Sequence, residues 1–100
     1  MTYLQNYLSQ IRQLCENYKV KHLFAFGSVT SDKFSPDSDI DLLVDFNDLD
    51  PIEYADNYFG LKFRLQELLK RHIDLLEEKT LRNPYLKQQI EKQKISLYGN

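Results

Sequence analysis

The sequence predicts a small α/β (α+β) fold, in which about four helices flank a mixed sheet of three to four strands. Short apolar runs typical of strands alternate with amphipathic helical patterns along the chain. A long helical pattern separates the second and third strand-like runs, which suits a parallel crossover between them. One hundred residues suffice for one small core, so residues 1–100 are interpreted as a single domain.

The N-terminal half contains one predicted helix and two predicted strands. Apolar residues at three- and four-residue steps predict an amphipathic helix over residues 3–18. A short apolar run predicts the first strand at His22–Phe26. The polar stretch Ser28–Ser38 is interpreted as a loop, with one helical turn expected over residues 31–34. The second strand is predicted at Ile40–Phe46, and it runs antiparallel to the first if the two ends of the loop meet.

A strong helix start follows the second strand. Asp50 is a suitable N-cap, Pro51 suits the first helical position, and Glu53 stands where a capping box places an acid. The apolar pattern then continues to about Lys70. Gly60 interrupts it at a cost of about 1 kcal/mol relative to alanine, and is interpreted as a mark of close packing.

The C-terminal part contains a third strand, another helix and a short final strand. His72–Glu77 is the third strand-like run. Asn83 followed by proline starts a helix that runs to about Lys94, because asparagine can cap and proline suits the first helical position. Ile95–Tyr98 is interpreted as a fourth strand. Three side chains of this last helix are expected to face inward: Tyr85, Leu86 and Ile90.

Composition and charge restrict the classes of function. Residues 31–60 hold nine acids against one base, whereas residues 61–100 hold nine bases against five acids, so the middle of the chain suits cations. The formal net charge of −2 argues against a dedicated nucleic-acid binder. The lone Cys15 is interpreted as a reduced core thiol. No signal peptide or membrane span is apparent, so a cytoplasmic protein is expected.

The most informative motif is Gly27-Ser28, ten residues, and then Asp39-Ile40-Asp41. Two residues that alternate on a strand project to one face, about 6–7 Å apart, so the two carboxylates repel unless a cation lies between them. Mg²⁺ binds oxygen ligands and uses carboxylates together with substrate phosphates. Glycine permits close approach of a ligand, and serine adds a hydroxyl and an N–H. The motif therefore predicts a site for a triphosphate and a metal.

Three further acids and His72 lie outside this motif. A parallel pairing of the second and third strands would bring Asp74 beside the aspartate pair. Asp45 and Asp48 are interpreted as loop and surface acids. His72 is interpreted as structural or exposed, and no zinc site is expected there because no companion ligand lies at suitable spacing.

The motif and its spacing resemble the signature of the DNA polymerase β-like nucleotidyltransferase superfamily, and most closely its minimal nucleotidyltransferases (MNT proteins). The resemblance implies that Asp39, Asp41 and Asp74 bind Mg²⁺, with Asp74 also acting as general base. It implies that Gly27 and Ser28 hold the triphosphate of ATP. The implied reaction is attack of a hydroxyl on the α-phosphate, transfer of the nucleotidyl group and release of pyrophosphate.

The same resemblance implies a protein partner. MNT proteins pair with HEPN-domain toxins and act as antitoxins that transfer AMP from ATP to a toxin tyrosine, so a hetero-oligomer is expected. One departure from the family pattern is the segment Val29–Asp32, which lacks the arginine that family members often carry after the glycine and serine. This departure motivates an alternative, a non-catalytic antitoxin that neutralises its partner by complex formation. Transfer to a small hydroxylated molecule such as an aminoglycoside is a third alternative.

Overall fold

The computed structural model describes residues 2–99, which contain four strands and four α-helices. Two 3₁₀ turns, Gly27–Thr30 and Glu78–Thr80, follow the first and third strands. Among residues 2–99, no helix has the length and apolar character needed to cross a membrane. In chain order the elements are α1 Thr2–Gln5, α2 Leu8–Asn17, β1 Val20–Phe26, β2 Ile40–Phe46, α3 Pro51–Leu69, β3 Ile73–Glu77, α4 Pro84–Gln93 and β4 Ile95–Tyr98.

The strands form one mixed sheet in the order β3-β2-β1-β4. Strands β1 and β2 are antiparallel, β2 and β3 are parallel, and β4 pairs antiparallel with the other edge of β1. The helix α3 forms the crossover that a parallel pair requires. The predicted α/β class, the mixed sheet, the antiparallel pair of β1 and β2 and the parallel pair of β2 and β3 are therefore confirmed.

Helices cover both faces of the sheet. One face carries Ile40, Leu42 and Val44 of β2, which join the larger core beneath α1, α2 and α3. The other face carries Leu43, which packs with Phe26 and with Ile90 of α4 in a smaller core. Because side chains alternate along a strand, Asp41 and Asp45 of β2 share the α4 face with Leu43.

The N-caps at Asp50 and Asn83 form as predicted, whereas the Glu53 carboxylate pairs with Lys19 instead of completing a capping box. The Asp50 carboxylate accepts a 2.9 Å hydrogen bond from the backbone N–H of Glu53 at the start of α3. Asn83 accepts from two backbone N–H groups in the first turn of α4, at 2.9 and 3.2 Å. Gly60 lies against the Tyr18 ring, where a Cβ would stand under 3.0 Å from a ring carbon. Close packing therefore explains this glycine.

The N-terminal helix differs from the prediction. Residues 3–18 form two helices rather than one, with a break at Asn6 and Tyr7. The Tyr7 N–H donates to the Leu4 carbonyl, an i→i−3 bond in place of the α-helical pattern. The Tyr3 hydroxyl donates to the carbonyl of Leu69 at the end of α3, so a tertiary contact directs the first turn.

Three further details of the prediction are wrong. The helical turn expected over residues 31–34 forms earlier, at Gly27–Thr30, because Ser31 is extended and ends it. Strand β1 begins at Val20, two residues before the predicted start, because Val20 pairs with Phe46 of β2. Tyr85 was expected to face inward but is 79% exposed, whereas Ile90 is buried.

Candidate active site

Two carboxylates stand side by side on the α4 face of the sheet. Asp41 of β2 and Asp74 of β3 are register partners in the parallel ladder, and neighbouring strands lie roughly 4.8 Å apart. Burial raises the pKa of the half-buried Asp41 carboxyl, and the charges of Asp74 and Asp39 raise it further. The Asp41 carboxylate therefore lies within reach of the charges of both neighbouring acids, and a cation beside it would be stabilised.

Asp39 lies just before β2 and is 61% exposed at its side chain. Its Oδ2 is 3.5 Å from Nδ1 of His72, which immediately precedes β3. The predicted set of Asp39, Asp41 and Asp74 therefore occupies the same end of β2 and β3. Their carboxylate oxygens do not converge on one point. Among residues 2–99, these three acids do not form a group in which one oxygen from each lies within 4.8 Å of the other two.

Gly27 brings the turn after β1 directly onto this acidic pair. Its φ of +75° is a conformation that residues with a Cβ rarely adopt. A Cβ at this position would overlap Oδ2 of Asp41. The turn is held by the Thr30 hydroxyl, which donates to the Gly27 carbonyl at 2.7 Å, and by the Ser31 N–H, which donates to the Ser28 carbonyl at 3.0 Å. A side chain at position 27 would therefore strain the turn and push the Asp41 carboxylate away from it.

A cavity of about 530 Å³ opens beside the same turn. Gly27 and Ser28 line it together with two lysines, Lys33 of the following loop and Lys92 of α4. Gln93 closes one side, where its Oε1 accepts a 3.2 Å hydrogen bond from the Gly27 N–H. The aspartates do not line this cavity, so Gly27 separates a region with two ammonium groups from the acidic pair.

The loop that leads to Asp39 is fixed by Arg71. One guanidinium nitrogen donates to the carbonyls of Ser35 and Ser38, at 3.0 and 2.9 Å. The same guanidinium stacks over the rings of Phe34 and Tyr3, with its carbon 4.6 and 5.0 Å from the two centroids. Arg71 thereby ties the loop to the segment that enters β3.

Sequence reasoning missed Lys33, Lys92, Gln93 and Arg71 as components of the region. The excess of bases in the C-terminal part was a signal for Lys92, but it did not single out this lysine. Asp45 was also misassigned, because it lies within β2 and is only 9% exposed rather than being a surface acid. Among the described residues, its carboxylate forms a compact group with His22 and Glu78, away from the predicted triad.

Adjacent acidic strands, a glycine-dependent turn and a lysine-lined cavity are the features of a phosphate-handling transferase. The chain matches the family model described as nucleotidyltransferase domain over residues 9–97. It is 36% identical over 80 residues to "Putative protein adenylyltransferase MJ0126" of Methanocaldococcus jannaschii, covering 80% of this chain and 79% of that protein.

Two solved structures show the same fold. A chain in the crystal structure of a toxin–antitoxin complex with AMP-PNP matches with a TM-score of 0.72 and 27% identity, covering 93% of this chain and 73% of that chain. A chain in the complex of tri-AMPylated Shewanella oneidensis HEPN toxin with MNT antitoxin matches with a TM-score of 0.67 and 26% identity, covering 96% and 72%. The chain therefore belongs to the nucleotidyltransferase domain family, and its enzyme class is nucleotidyltransferase. The resemblance to minimal nucleotidyltransferases is confirmed.

Proposed function

We propose that this protein is a Mg²⁺-dependent adenylyltransferase and antitoxin, which transfers AMP from ATP to a tyrosine of a HEPN-domain toxin. The observation that carries the proposal is the contact of Gly27 with Asp41, which joins the phosphate-suited turn to the paired acids. The similar complexes support the choice of donor and partner, since one holds AMP-PNP and another holds an AMPylated HEPN toxin with an MNT antitoxin.

The acids fit a hard divalent cation. Asp39, Asp41 and Asp74 offer only carboxylate oxygens, which are the ligands that Mg²⁺ prefers. The pKa of Asp41 is raised by burial and by its two neighbours, so a bound cation would relieve repulsion that the protein alone leaves in place. When bound, Mg²⁺ supplies charge neutralisation on the phosphate oxygens.

The residues of the chain then have separate tasks. Gly27 and Ser28 hold the triphosphate with backbone and hydroxyl donors, as glycine turns do for phosphates. Lys33 and Lys92 supply the positive charge that the segment after Ser28 lacks. The N–H of Gly27 exchanges its bond to Gln93 for one to a phosphate oxygen.

The reaction is an in-line displacement at the α-phosphorus. The tyrosine oxygen forms a bond to this phosphorus, and the bond from the phosphorus to the bridging oxygen of the β-phosphate breaks. Asp74, exposed on β3, takes the phenolic proton as general base. The products are adenylylated tyrosine and pyrophosphate.

A protein acceptor suits the exposed surface of α3. Ile52, Phe59 and Phe63 recur on one face of this helix and are 77%, 65% and 60% exposed. Exposed apolar groups at helical spacing are typical of surfaces that a protein partner covers. We therefore place the docking face for the HEPN toxin on the outer side of α3.

A second candidate function is neutralisation of the toxin by complex formation without transfer. The absence of an arginine after Ser28 favours it, because the cationic contact there must come from lysines elsewhere in the chain. Under this alternative, substitution of the aspartates leaves protection of cells intact.

One experiment separates the two functions. The protein is incubated with ATP labelled at the α-phosphate, Mg²⁺ and the cognate HEPN protein, in parallel with the Asp41→Asn and Asp74→Asn variants. We expect label on the HEPN protein with the natural sequence and a loss of at least about 100-fold with each variant. Glu16→Gln, at an exposed position of α2, is the matched control and is expected to transfer normally. The same proteins are also compared for protection of cells that express the HEPN toxin. If no label is transferred and the natural sequence and all variants protect these cells equally, the non-catalytic alternative is established.

A further inference from the structure

A second group of potential metal ligands lies at the other end of β2. His22 of β1, Asp45 of β2 and Glu78 of the 3₁₀ turn after β3 each offer one ligand atom, and these atoms all lie within 4.8 Å of one another. His22 and Asp45 are register partners across the antiparallel ladder. Three separate elements therefore bring residues that are distant in sequence to one point of the fold.

This group is distinct from the nucleotide site. Asp45 is four residues beyond Asp41 on the same face of β2, which places it roughly 13 Å further along the strand. Leu43 stands between the two acids and packs with Phe26 and Ile90 in the smaller core. An ion at Asp45 would thus be separated from the Asp41 site by apolar packing.

Asp45 provides an independent indication of a ligand. Its side chain is only 11% exposed, and its Oδ1 is buried without a hydrogen-bond partner among residues 2–99. The nearest cation is the ammonium of Lys79, 3.6 Å from Oδ1 and outside hydrogen-bond distance. A buried carboxylate oxygen in this state is unfavourable unless a donor or a cation reaches it.

The ligand set indicates the kind of ion. One imidazole nitrogen with two carboxylate oxygens suits Zn²⁺ and similar transition ions, whereas Mg²⁺ favours oxygen ligands alone. Tetrahedral bonds of about 2.0–2.2 Å set the ligand atoms roughly 3.3–3.6 Å apart, so the group must contract slightly. Glu78 can supply this movement because it is exposed and lies at the edge of a cavity of about 400 Å³.

We propose that His22, Asp45 and Glu78 form a second metal site, which binds a zinc-class divalent ion and fastens β1, β2 and the turn after β3 together. Lys79 competes for this site, because its ammonium occupies the position beside Asp45 that the ion would neutralise. The affinity for the ion therefore depends on the charge at residue 79.

The test measures zinc affinity by competition with a chromophoric chelator. All proteins carry Asp39→Asn and Asp74→Asn, so that binding at the nucleotide site does not contribute. We expect one ion per chain, a loss of affinity of at least about tenfold with His22→Asn, and a similar loss with Glu78→Gln. Glu78 is exposed, so its variant tests the site without disturbing the core. Lys79→Met is expected to bind zinc more tightly than the parent.

The chain offers a matched control, because His22 and His72 are its only histidines. The variant His72→Asn is expected to bind zinc as the parent does. Equal zinc affinity in the parent and in His22→Asn and Glu78→Gln, loss of zinc in His72→Asn alone, or no zinc binding by the parent would each overturn the proposal. Any of these results would leave Asp45 as a simple partner of Lys79.

Discussion

Substitution of Gly27 by alanine tests how the turn and the acidic pair are joined. At φ +75° a Cβ costs roughly 1–2 kcal/mol of unfolding free energy. Since 1 kcal/mol lowers the Tm of a domain of this size by about 4–8 °C, we expect a decrease of roughly 5–15 °C. The new Cβ also overlaps Oδ2 of Asp41, which must move by about 1 Å to reach an ordinary contact distance, and such a displacement can cost about 100-fold in rate.

The assay is kcat/KM for transfer of labelled AMP, measured at a temperature well below every Tm. Gly60→Ala is the matched control, because its Cβ also meets a side chain at under 3.0 Å, but that side chain is Tyr18, which packs against the larger core. We expect Gly60→Ala to alter Tm while kcat/KM stays within about threefold, since the site geometry on which rate depends is untouched. If Gly27→Ala kept kcat/KM within the same range, the inferred joint role of the turn and Asp41 would be refuted.

Three further predictions concern charge and the partner surface. Because the folded-state pKa of Asp41 is raised, its ionised form opposes folding, and stability falls as pH rises from the ordinary aspartate pKa through the folded one. Asp41→Asn should therefore raise the Tm of the metal-free protein at neutral pH. This gain should disappear near pH 3.8 and below, where the aspartate is protonated; an equal gain in Tm at all pH values would show that ionisation of Asp41 is not its cause. Lys33→Met and Lys92→Met should each raise the KM for ATP about tenfold, since a charged phosphate contact contributes about 1.5–3 kcal/mol, and an unchanged KM would place the triphosphate elsewhere. Phe59→Ser with Phe63→Ser should weaken HEPN binding by at least about 30-fold in calorimetry while the Tm is retained, because both rings are exposed; unaltered affinity would move the interface off α3.

The fold was largely accessible from the sequence because its signals are local. The caps at Asp50 and Asn83 fix where two helices begin, and each rests on residues at most three positions apart. The antiparallel pairing of β1 and β2 follows from the expected meeting of the two loop ends, and the parallel pairing of β2 and β3 follows from the long helix between them. The break at Asn6 was not accessible, because it depends on the contact of the Tyr3 hydroxyl with the distant end of α3.

The candidate site, like the fold, has parts that the sequence predicts and parts that it does not. The motif of Gly27 and Asp41 could be recognised because its spacing is fixed within one strand–turn–strand unit. The lysines of the cavity could not, since Lys33 and Lys92 meet only after α4 packs on the sheet. The burial of Asp45 could not be predicted either. Alternation along β2 places Asp45 on the α4 face, but it does not show which residues cover the C-terminal end of this strand.

Nuclear magnetic resonance with Mn²⁺ in place of Mg²⁺ tests most directly whether the acids and the turn form one site for nucleotide and metal. The His22→Asn variant, labelled with ¹⁵N, is titrated with Mn²⁺ and AMP-PNP, so that an ion at the second group does not contribute. We predict that paramagnetic broadening centres on the amides of Gly27, Ser28, Asp39, Asp41 and Asp74. Broadening centred elsewhere, with these five amides unaffected, would contradict the account.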